Sequence, residues 1–285
     1  MQSPTPTRRS PVVVPPFLLV LGAVVSVQFG QAFGKQLFAV AGPLGVSALR
    51  LSLAAALLLA LRRPRIPADR RSRGLIVALG AAIATMNVVY LALPHLPVGV
   101  ASTLQMLGPL SVALLSSRRP RDVLWAALAA AGVFLFCGPV SAPLPAVGVC
   151  LGLVSAAGMG SYLLLSHRVG AISSDGSPLA LAVACAAVLV LPFGIAESGA
   201  ALLSPAVLLA GLGIAVLSAV VPYSLELAAL RRIPPRVVGV LQSLEPVTGA
   251  LAGLLLLAEG LALPQLVALG CVTAASIGAV LGRER

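Results

Sequence analysis

The sequence predicts an all-α membrane protein with ten transmembrane helices, arranged as two five-helix repeats of inverted topology with both termini in the cytoplasm. Three observations predict this fold: the composition of the chain, the positions of its basic residues and an internal repeat. Of the 285 residues, 59% are hydrophobic and 9% are charged. Soluble domains are about 45–50% apolar and about 25% charged. This composition, with a mean hydropathy of +1.06, indicates a polytopic membrane protein.

Ten apolar segments of the chain are each long enough to cross the hydrocarbon core of a bilayer. The connections between them are short and leave no room for a soluble domain. A proline-rich cytoplasmic arm at 1–16 precedes the first segment. That segment has no small-residue cleavage site and is therefore expected to remain as a helix. In chain order the segments are 17–36, 43–61, 74–93, 98–116, 122–140, 146–165, 178–195, 205–226, 237–257 and 263–282.

The basic residues fall on one side of the membrane. With the N-terminus in the cytoplasm, 17 of the 19 lysines and arginines lie in cytoplasmic segments and none lies in an outer loop. Such a bias in short loops sets the orientation of membrane proteins. The other two are Arg50 and Lys35, and Lys35 is expected to extend from the end of the first span to the lipid interface. The net charge of +11 is thus typical of loops facing anionic lipid, and no nucleic-acid partner is expected.

Two stretches of the chain resemble each other at an offset of 137 residues. They are ALPHLPVGVASTLQMLGPL at 92–110 and ALRRIPPRVVGVLQSLEPV at 229–247. A repeat at this offset divides the chain into two units of five predicted helices. Because five is an odd number, the second unit enters the membrane in the opposite sense, an architecture of many secondary transporters. The predicted units are 17–140 and 146–282.

Both copies of the repeat carry a glutamine followed four residues later by a proline. Gln105 and Pro109 in the first copy match Gln242 and Pro246 in the second. A proline has no backbone N–H and leaves a carbonyl one turn earlier without its helical partner. Both prolines are therefore expected to break their helices and to offer polar backbone where a ligand can bind.

Ionisable side chains inside the spans cost roughly 2.5–3.5 kcal/mol each on insertion scales and are functional candidates by default. Arg50 lies near the middle of the second span, where its planar guanidinium either binds a substrate carboxylate or pairs permanently with an acid of the ninth span. Glu245 is that acid, and it either carries a proton or stays paired. The first repeat has Gly108 at the matching position. Glu226, near the cytoplasmic end of the eighth span, is expected to meet loop arginines or solvent, with a gating role as the alternative.

Eight neutral polar residues, spread over six of the predicted spans, are further candidates. Each one alone is more often an interhelical hydrogen bond, worth about 0.6 kcal/mol on average. Together they predict a polar seam that lines a substrate cavity, with the two glutamines of the repeat favoured because they are equivalent. The members of the seam are Gln28, Gln31, Asn87, Tyr90, Gln105, Tyr162, Tyr223 and Gln242.

The motifs of enzymes and metal sites are missing from the sequence. Ser161 lies in a glycine-rich GMGSY segment, but His95 and His167 both fall in loops, so no histidine is placed to act as its base. The four cysteines show no CxxC spacing and have no neighbouring histidine, and they are expected to pack as small apolar residues. No catalytic residue, metal or cofactor is therefore expected.

Four stretches resemble bacterial threonine/homoserine exporters, a group within the drug/metabolite transporter superfamily with EamA-type domains. They are GVSALRLSLAAALLLA at 45–60, GPLSVALLSSRRP at 108–120, LSAVVPYSLELAALRRIP at 217–234 and LQSLEPVTGALAGLLLLAE at 241–259. The resemblance implies proton-driven export of a small amino acid across the bacterial inner membrane by alternating access. Export of another metabolite or drug, and a passive channel, are the alternatives. The expected partners are a small-molecule substrate, protons and the lipid bilayer, while the oligomeric state is left open.

Overall fold

The computed structural model describes residues 15–115, 121–137, 144–170, 176–230, 232–233, 238 and 241–281. These residues exclude most of the N-terminal arm and the basic cluster at 118–119. They also exclude 237 and 239–240, at the start of the ninth predicted span. Throughout the described residues the regular secondary structure is helical, which confirms the all-α class of the prediction.

Twelve α-helices are placed in the described part of the chain. A short 3₁₀ helix, Gly199–Leu203, follows the eighth helix, and a π turn, Val216–Val220, joins the ninth to the tenth. The helices are α1 Pro16–Gln36, α2 Phe38–Arg62, α3 Arg70–Met86, α4 Val89–Ala92, α5 Val98–Leu115, α6 Arg121–Cys137, α7 Ala146–Gly170, α8 Ser177–Ser198, α9 Pro205–Ala215, α10 Val221–Leu230, α11 Glu245–Leu257 and α12 Leu263–Leu281.

The helices form a bundle with an apolar outer surface. Six helical segments in the described ranges are long and apolar enough to cross a membrane, and three shorter apolar helices accompany them. Large hydrophobic side chains face outward, for example Val188 at 71% exposure and Leu209 at 72%. An apolar surface of this extent suits lipid rather than water. The chain is therefore a multi-pass membrane protein, while ten spans in an inverted repeat stay a prediction.

Two of the helical segments bend where the backbone chemistry requires it. In α2, Gly42 adopts φ 56° and ψ 165°, directly before Pro43. Glycine takes a positive φ without steric cost. The third predicted span divides into α3 and α4 at a turn formed by Asn87 and Val88. The Asn87 side chain is buried there, and its Nδ2 donates to the Ile83 carbonyl at 2.7 Å.

The two prolines that were expected to break their helices differ from each other. α5 continues through Pro109 to its end, so the expected break at that proline was wrong. Proline is tolerated inside a membrane helix when neighbouring helices hold the backbone in place, and α5 packs against both α7 and α11. At the second proline the chain turns at 243–244, and α11 begins at Glu245 with Pro246 in its first turn.

Small residues let the interior helices approach one another closely. α2 packs on α8, α5 on α7 and α11, and α6 on α12. A Cβ added to Gly194 of α8 would lie 3.0 Å from the Leu44 carbonyl oxygen of α2, and one added to Gly99 of α5 would lie 2.7 Å from Ala250 Cα of α11. Close approach through glycine is the characteristic packing of membrane helices. These contacts hold the polar side chains of the bundle interior in place.

Candidate functional site

A cavity of about 80 Å³ lies inside the bundle. One water molecule needs about 10–15 Å³ by the same measure, so the space is large enough for a small solute or several waters. It brings together ten of the eleven polar side chains that the sequence singled out, and Gln28 is the exception. The ten are Gln31, Arg50, Asn87, Tyr90, Gln105, Tyr162, Tyr223, Glu226, Gln242 and Glu245.

Arg50 is held in a fixed orientation at this cavity by neutral groups. The residue is only 3% exposed. Its Nε donates to Ser218 Oγ at 2.5 Å, its Nη2 donates to the Ser218 carbonyl at 2.6 Å, and its Nη1 donates to Asn87 Oδ1. The guanidinium carbon lies 5.4 Å from the centre of the Tyr90 ring, a cation–π contact. These bonds use three of the five guanidinium N–H groups, and the Tyr223 hydroxyl also lies within hydrogen-bonding range of Arg50.

Ser218 can offer its carbonyl to Arg50 because the helical hydrogen bonding is interrupted at this point. The π turn Val216–Val220 contains Ser218, and Pro222 lies four residues further along the chain. Since Pro222 has no N–H, the carbonyl of Ser218 lacks its ordinary helical donor. Arg50 supplies a donor in its place. Single π turns inside helices are frequent at functional sites.

The positive charge of Arg50 is not neutralised by an acid among the described residues. The ion pair found there joins Lys35 to Glu259, at 2.6 Å. Arg50 and Glu245 line the same cavity without forming the permanent ion pair that was the alternative reading. A charge buried in a membrane bundle without a counter-ion is costly. The arrangement therefore leaves Arg50 able to bind an anionic group in the cavity.

Two carboxylates line the same cavity as Arg50. Glu226 Oε1 accepts a hydrogen bond from Gln242 Nε2 at 3.1 Å. Glu226 was expected to meet loop arginines or solvent; its side chain lines the cavity, and Arg231 and Arg236 of that loop lie outside the described residues. Glu245 lies within electrostatic range of Glu226, and the hydroxyl of Tyr162 lies within range of both. The cavity thus contains one basic side chain, Arg50, and two acidic side chains, Glu226 and Glu245.

Gln105 and Gln242, which the repeat makes equivalent, both line the cavity. Gln105 Nε2 donates to the Met86 carbonyl at 3.0 Å and to Ser155 Oγ at 2.7 Å. Ser155 Oγ donates in turn to the same Met86 carbonyl at 2.6 Å. Gln105 therefore ties α5 to α3 and α7, whereas Gln242 contacts the carboxylate of Glu226.

The packing explains why the first repeat has a glycine where the second has Glu245. A Cβ at Gly108 would lie within 2.8 Å of the backbone nitrogen of Gly160 in α7. No side chain fits between two backbones at that separation. The matching position in the second repeat faces the cavity, and a carboxylate is accommodated there.

Three side chains at the interface of α1, α4 and α5 are almost fully buried. Gln28 is 0% exposed, and its Oε1 accepts a hydrogen bond from Ser102 Oγ at 2.8 Å. Gln28 therefore lies in the contact between α1 and α5 rather than on the cavity. Gln31 and Tyr90 line the cavity and are 6% and 1% exposed.

Lys35 was expected to extend to the lipid interface, but its side chain forms an ion pair between helix ends of the bundle. Its Nζ donates to Glu259 Oε1 at 2.6 Å and to the Leu96 carbonyl at 2.8 Å. Glu259 Oε2 accepts from the Val98 backbone N–H at 2.8 Å. The pair, 19% and 15% exposed, joins the end of α1 to the residues before α5 and after α11. We refer to this part of the bundle as the Lys35 end.

Sequence reasoning missed Ser218, which anchors Arg50 with two oxygen atoms. The signal was present, because a proline four residues after a serine in a membrane helix marks a free carbonyl. It also missed the apolar part of the cavity wall, which is not distinguishable by composition from the rest of the bundle. That part consists of Val20, Ala23, Val24, Val27, Met86, Val89, Met159 and Pro222.

Comparison with known proteins gives consistent matches. The sequence model of the EamA-like transporter family matches residues 146–281. The chain is 38% identical over 288 residues to the threonine/homoserine exporter RhtA of Salmonella typhimurium strain LT2, covering 99% of this chain and 96% of that protein. It is 37% identical to the protein of the same name from Escherichia coli strain K12, covering 98% and 95%. A solved crystal structure aligns with a TM-score of 0.63 and 17% identity, covering 94% of this chain and 97% of that one, which shows a shared fold.

Proposed function

Because the chain belongs to the EamA-like transporter family and is a membrane transporter rather than an enzyme, we propose that it exports small amino acids of the threonine and homoserine type from the bacterial cytoplasm across the inner membrane. One observation carries the proposal. A buried arginine with neutral partners and two carboxylates line a single cavity. Those charges complement the carboxylate and ammonium groups of an amino-acid zwitterion.

Arg50 binds the substrate carboxylate in this proposal. Ser218 and Asn87 take three of the five guanidinium N–H groups, and in this proposal the other two serve the Tyr223 hydroxyl and the substrate carboxylate. An arginine–carboxylate bond is charge-assisted and directional. Since Ser218 and Asn87 are both neutral, the arginine can gain a carboxylate without giving up a counter-ion.

Glu245 and Glu226 form the acidic part of the site. The substrate ammonium group binds beside these carboxylates, and Gln242 orients Glu226 through its amide N–H. The two acids lie within electrostatic range of each other, so charge on one affects the binding of a cation at the other. Competition between a proton and the ammonium group at Glu245 would couple export to the proton gradient.

The architecture that we propose for this transport is ten spans in two inverted five-helix units. Helix contacts between the units support it, because they occur as pairs related by exchange of the units. The packing of α5 on α7 corresponds to that of α11 on α1, and the packing of α3 on α7 corresponds to that of α10 on α1. The family match over 146–281 supports the second unit. Inverted repeats place substrate between the two units near the middle of the membrane.

Alternating access would open the two ends of the cavity in turn. The Lys35–Glu259 ion pair lies at the Lys35 end, and in this proposal it closes that end of the cavity. Near the start of α1, a hydrophobic cluster of Val20, Val24, Ala229 and Val238 packs together. With the N-terminus in the cytoplasm, the Lys35 end faces the outside, so the ion pair must separate for the substrate to leave the cell.

Transport by purified protein in liposomes tests the proposal. Vesicles are loaded with threonine, homoserine, lysine or a cationic dye, and efflux is followed with and without a pH gradient. We expect saturable efflux of threonine and homoserine that the pH gradient accelerates. Dye efflux with no amino-acid efflux would favour the drug exporter, and fast efflux that neither saturates nor responds to the gradient would favour a channel. Either result would overturn the proposal.

A further inference from the structure

We infer that Gln31 and Tyr90 form a subsite that binds the side-chain hydroxyl of the substrate and makes that hydroxyl a requirement for efficient export. The inference rests on the proposed function, which assigns the charged ends of the substrate to Arg50 and to the two carboxylates. It adds a third point of contact, which neither the charges of the cavity nor the family membership assigns.

Two polar atoms in the cavity wall have no hydrogen-bond partner in the described part of the chain. They are Gln31 Oε1 and the Tyr90 hydroxyl. Both residues are more than nine-tenths buried and both line the cavity. A buried polar group without a partner costs about 1–3 kcal/mol, and most such groups in proteins are satisfied. The cost is offset if a bound ligand supplies the missing partner.

Tyr90 packs against α1 one helical turn from Gln31. A Cβ built on Gly34 would lie 3.7 Å from the Tyr90 hydroxyl oxygen and 2.9 Å from its Cε1. The Tyr90 ring edge therefore lies against α1 at Gly34, and Gln31 is one helical turn earlier on the same face of α1. The opposite partner of the ring is Arg50, whose guanidinium lies over its face. Tyr90 thus lies between Arg50, which binds the substrate carboxylate in the proposed function, and the part of α1 that carries Gln31.

A hydroxyl group matches these two atoms in number and kind. It has one donor and can accept a hydrogen bond, so it can donate to Gln31 Oε1 and accept from the Tyr90 O–H. Threonine carries its hydroxyl two carbons from the carboxylate, and homoserine carries it three carbons away. The Gln31 amide and the Tyr90 phenol, on adjacent elements, can bind a hydroxyl at either carbon of the substrate. An aliphatic substrate side chain leaves Gln31 Oε1 and the Tyr90 hydroxyl without a hydrogen-bond partner.

This arrangement predicts a specific pattern of substrate preference. A site that hydrogen-bonds a substrate hydroxyl discriminates strongly against the analogue that lacks it, because its own polar groups remain unpaired. 2-Aminobutyrate lacks only the hydroxyl of threonine, and it equally lacks only the hydroxyl of homoserine. It is therefore a matched probe for both substrates, and valine is a probe with the shape of threonine.

The experiment compares export of threonine, homoserine, 2-aminobutyrate and valine by wild-type protein and by the variants Gln31→Leu and Tyr90→Phe in liposomes. Phenylalanine keeps the ring under Arg50, and leucine keeps most of the volume of glutamine. Each variant should lower kcat/KM for threonine and homoserine about five- to tenfold, the effect of one neutral hydrogen bond. Export of 2-aminobutyrate should stay the same or rise, so the preference for the hydroxyl collapses.

Thr273→Val is the matched control. Thr273 is 8% exposed, and its hydroxyl also lacks a hydrogen-bond partner in the described part of the chain, but it does not line the cavity. Its substitution should leave the preference for threonine over 2-aminobutyrate unchanged. Two results would overturn the inference and leave the proposed function standing. In the first, Gln31→Leu and Tyr90→Phe both leave the preference for threonine over 2-aminobutyrate unchanged. In the second, wild-type protein exports 2-aminobutyrate at the same kcat/KM as threonine. If wild-type protein exports none of the four amino acids, the proposed function fails and this inference fails with it.

Discussion

Replacing Arg50 with methionine tests whether this arginine binds the substrate or only supports the fold. Methionine keeps an unbranched apolar stem and removes the charge. Truncating one partner of a buried, hydrogen-bonded charge pair costs about 2–5 kcal/mol. If Arg50 binds the substrate carboxylate, the Kd for threonine should therefore rise about 30-fold or more. Arg50→Lys should fall between wild type and Arg50→Met, because lysine keeps the charge but not the planar fork that Ser218 and Asn87 hold.

The assay compares threonine with threoninamide, which keeps the ammonium group and the hydroxyl but has no carboxylate. Binding is measured in detergent for both ligands, and export is measured in liposomes. Wild-type protein should bind threonine at least 30-fold more tightly than threoninamide, by the same charge-pair cost. Arg50→Met should lose this preference and leave the affinity for threoninamide nearly unchanged. A variant that weakens both ligands equally would show a purely structural role and would refute the assignment.

Three further experiments test other parts of the structure. Glu245→Gln should abolish acceleration of threonine export by a pH gradient while threonine–threonine exchange continues; acceleration equal to wild type would remove Glu245 from the coupling. Lys35→Met and Glu259→Gln should each weaken closure of the Lys35 end. A double-mutant cycle of thermal stability should give a coupling of about 1 kcal/mol between the two residues, since the pair is only partly buried. Additive effects of the two substitutions would argue against closure by this ion pair. Gly108→Ala should destabilise the protein by about 1–3 kcal/mol, because its Cβ meets the backbone of α7. Gly270→Ala, where a Cβ meets nothing within 4 Å, is the control, and equal effects of the two would contradict the packing argument.

The helical membrane class of the fold was predictable because it depends on composition. The apolar runs must be helical in lipid, since every backbone group there needs an internal partner. The behaviour of a single proline was less predictable. The sequence treats Pro109 and Pro246 alike, yet the first lies within α5 and the second begins α11. The difference comes from the helices packed around each proline, which a local sequence pattern does not contain.

The polar wall of the cavity followed from the rule that a polar group in a span faces the protein interior. That rule did not predict which side chains form ion pairs or hydrogen bonds with one another. Lys35 pairs with Glu259, which is 224 residues away in the chain, and a lysine at the end of a span is equally compatible with an interfacial position. Arg50 has a serine and an asparagine as partners rather than the acid that its charge suggests. Neutral partners cannot be recognised by looking for complementary charges.

Proton movement during threonine export tests the central claim most directly. Liposomes containing the wild-type protein and a pH-sensitive dye are loaded with threonine and diluted into threonine-free buffer without an initial pH gradient. If the chain is a proton-coupled amino-acid exporter, threonine should leave while protons enter, and the dye should report acidification of the interior. Glu245→Gln vesicles should show no acidification. Threonine efflux from wild-type vesicles at a constant internal pH would contradict the account.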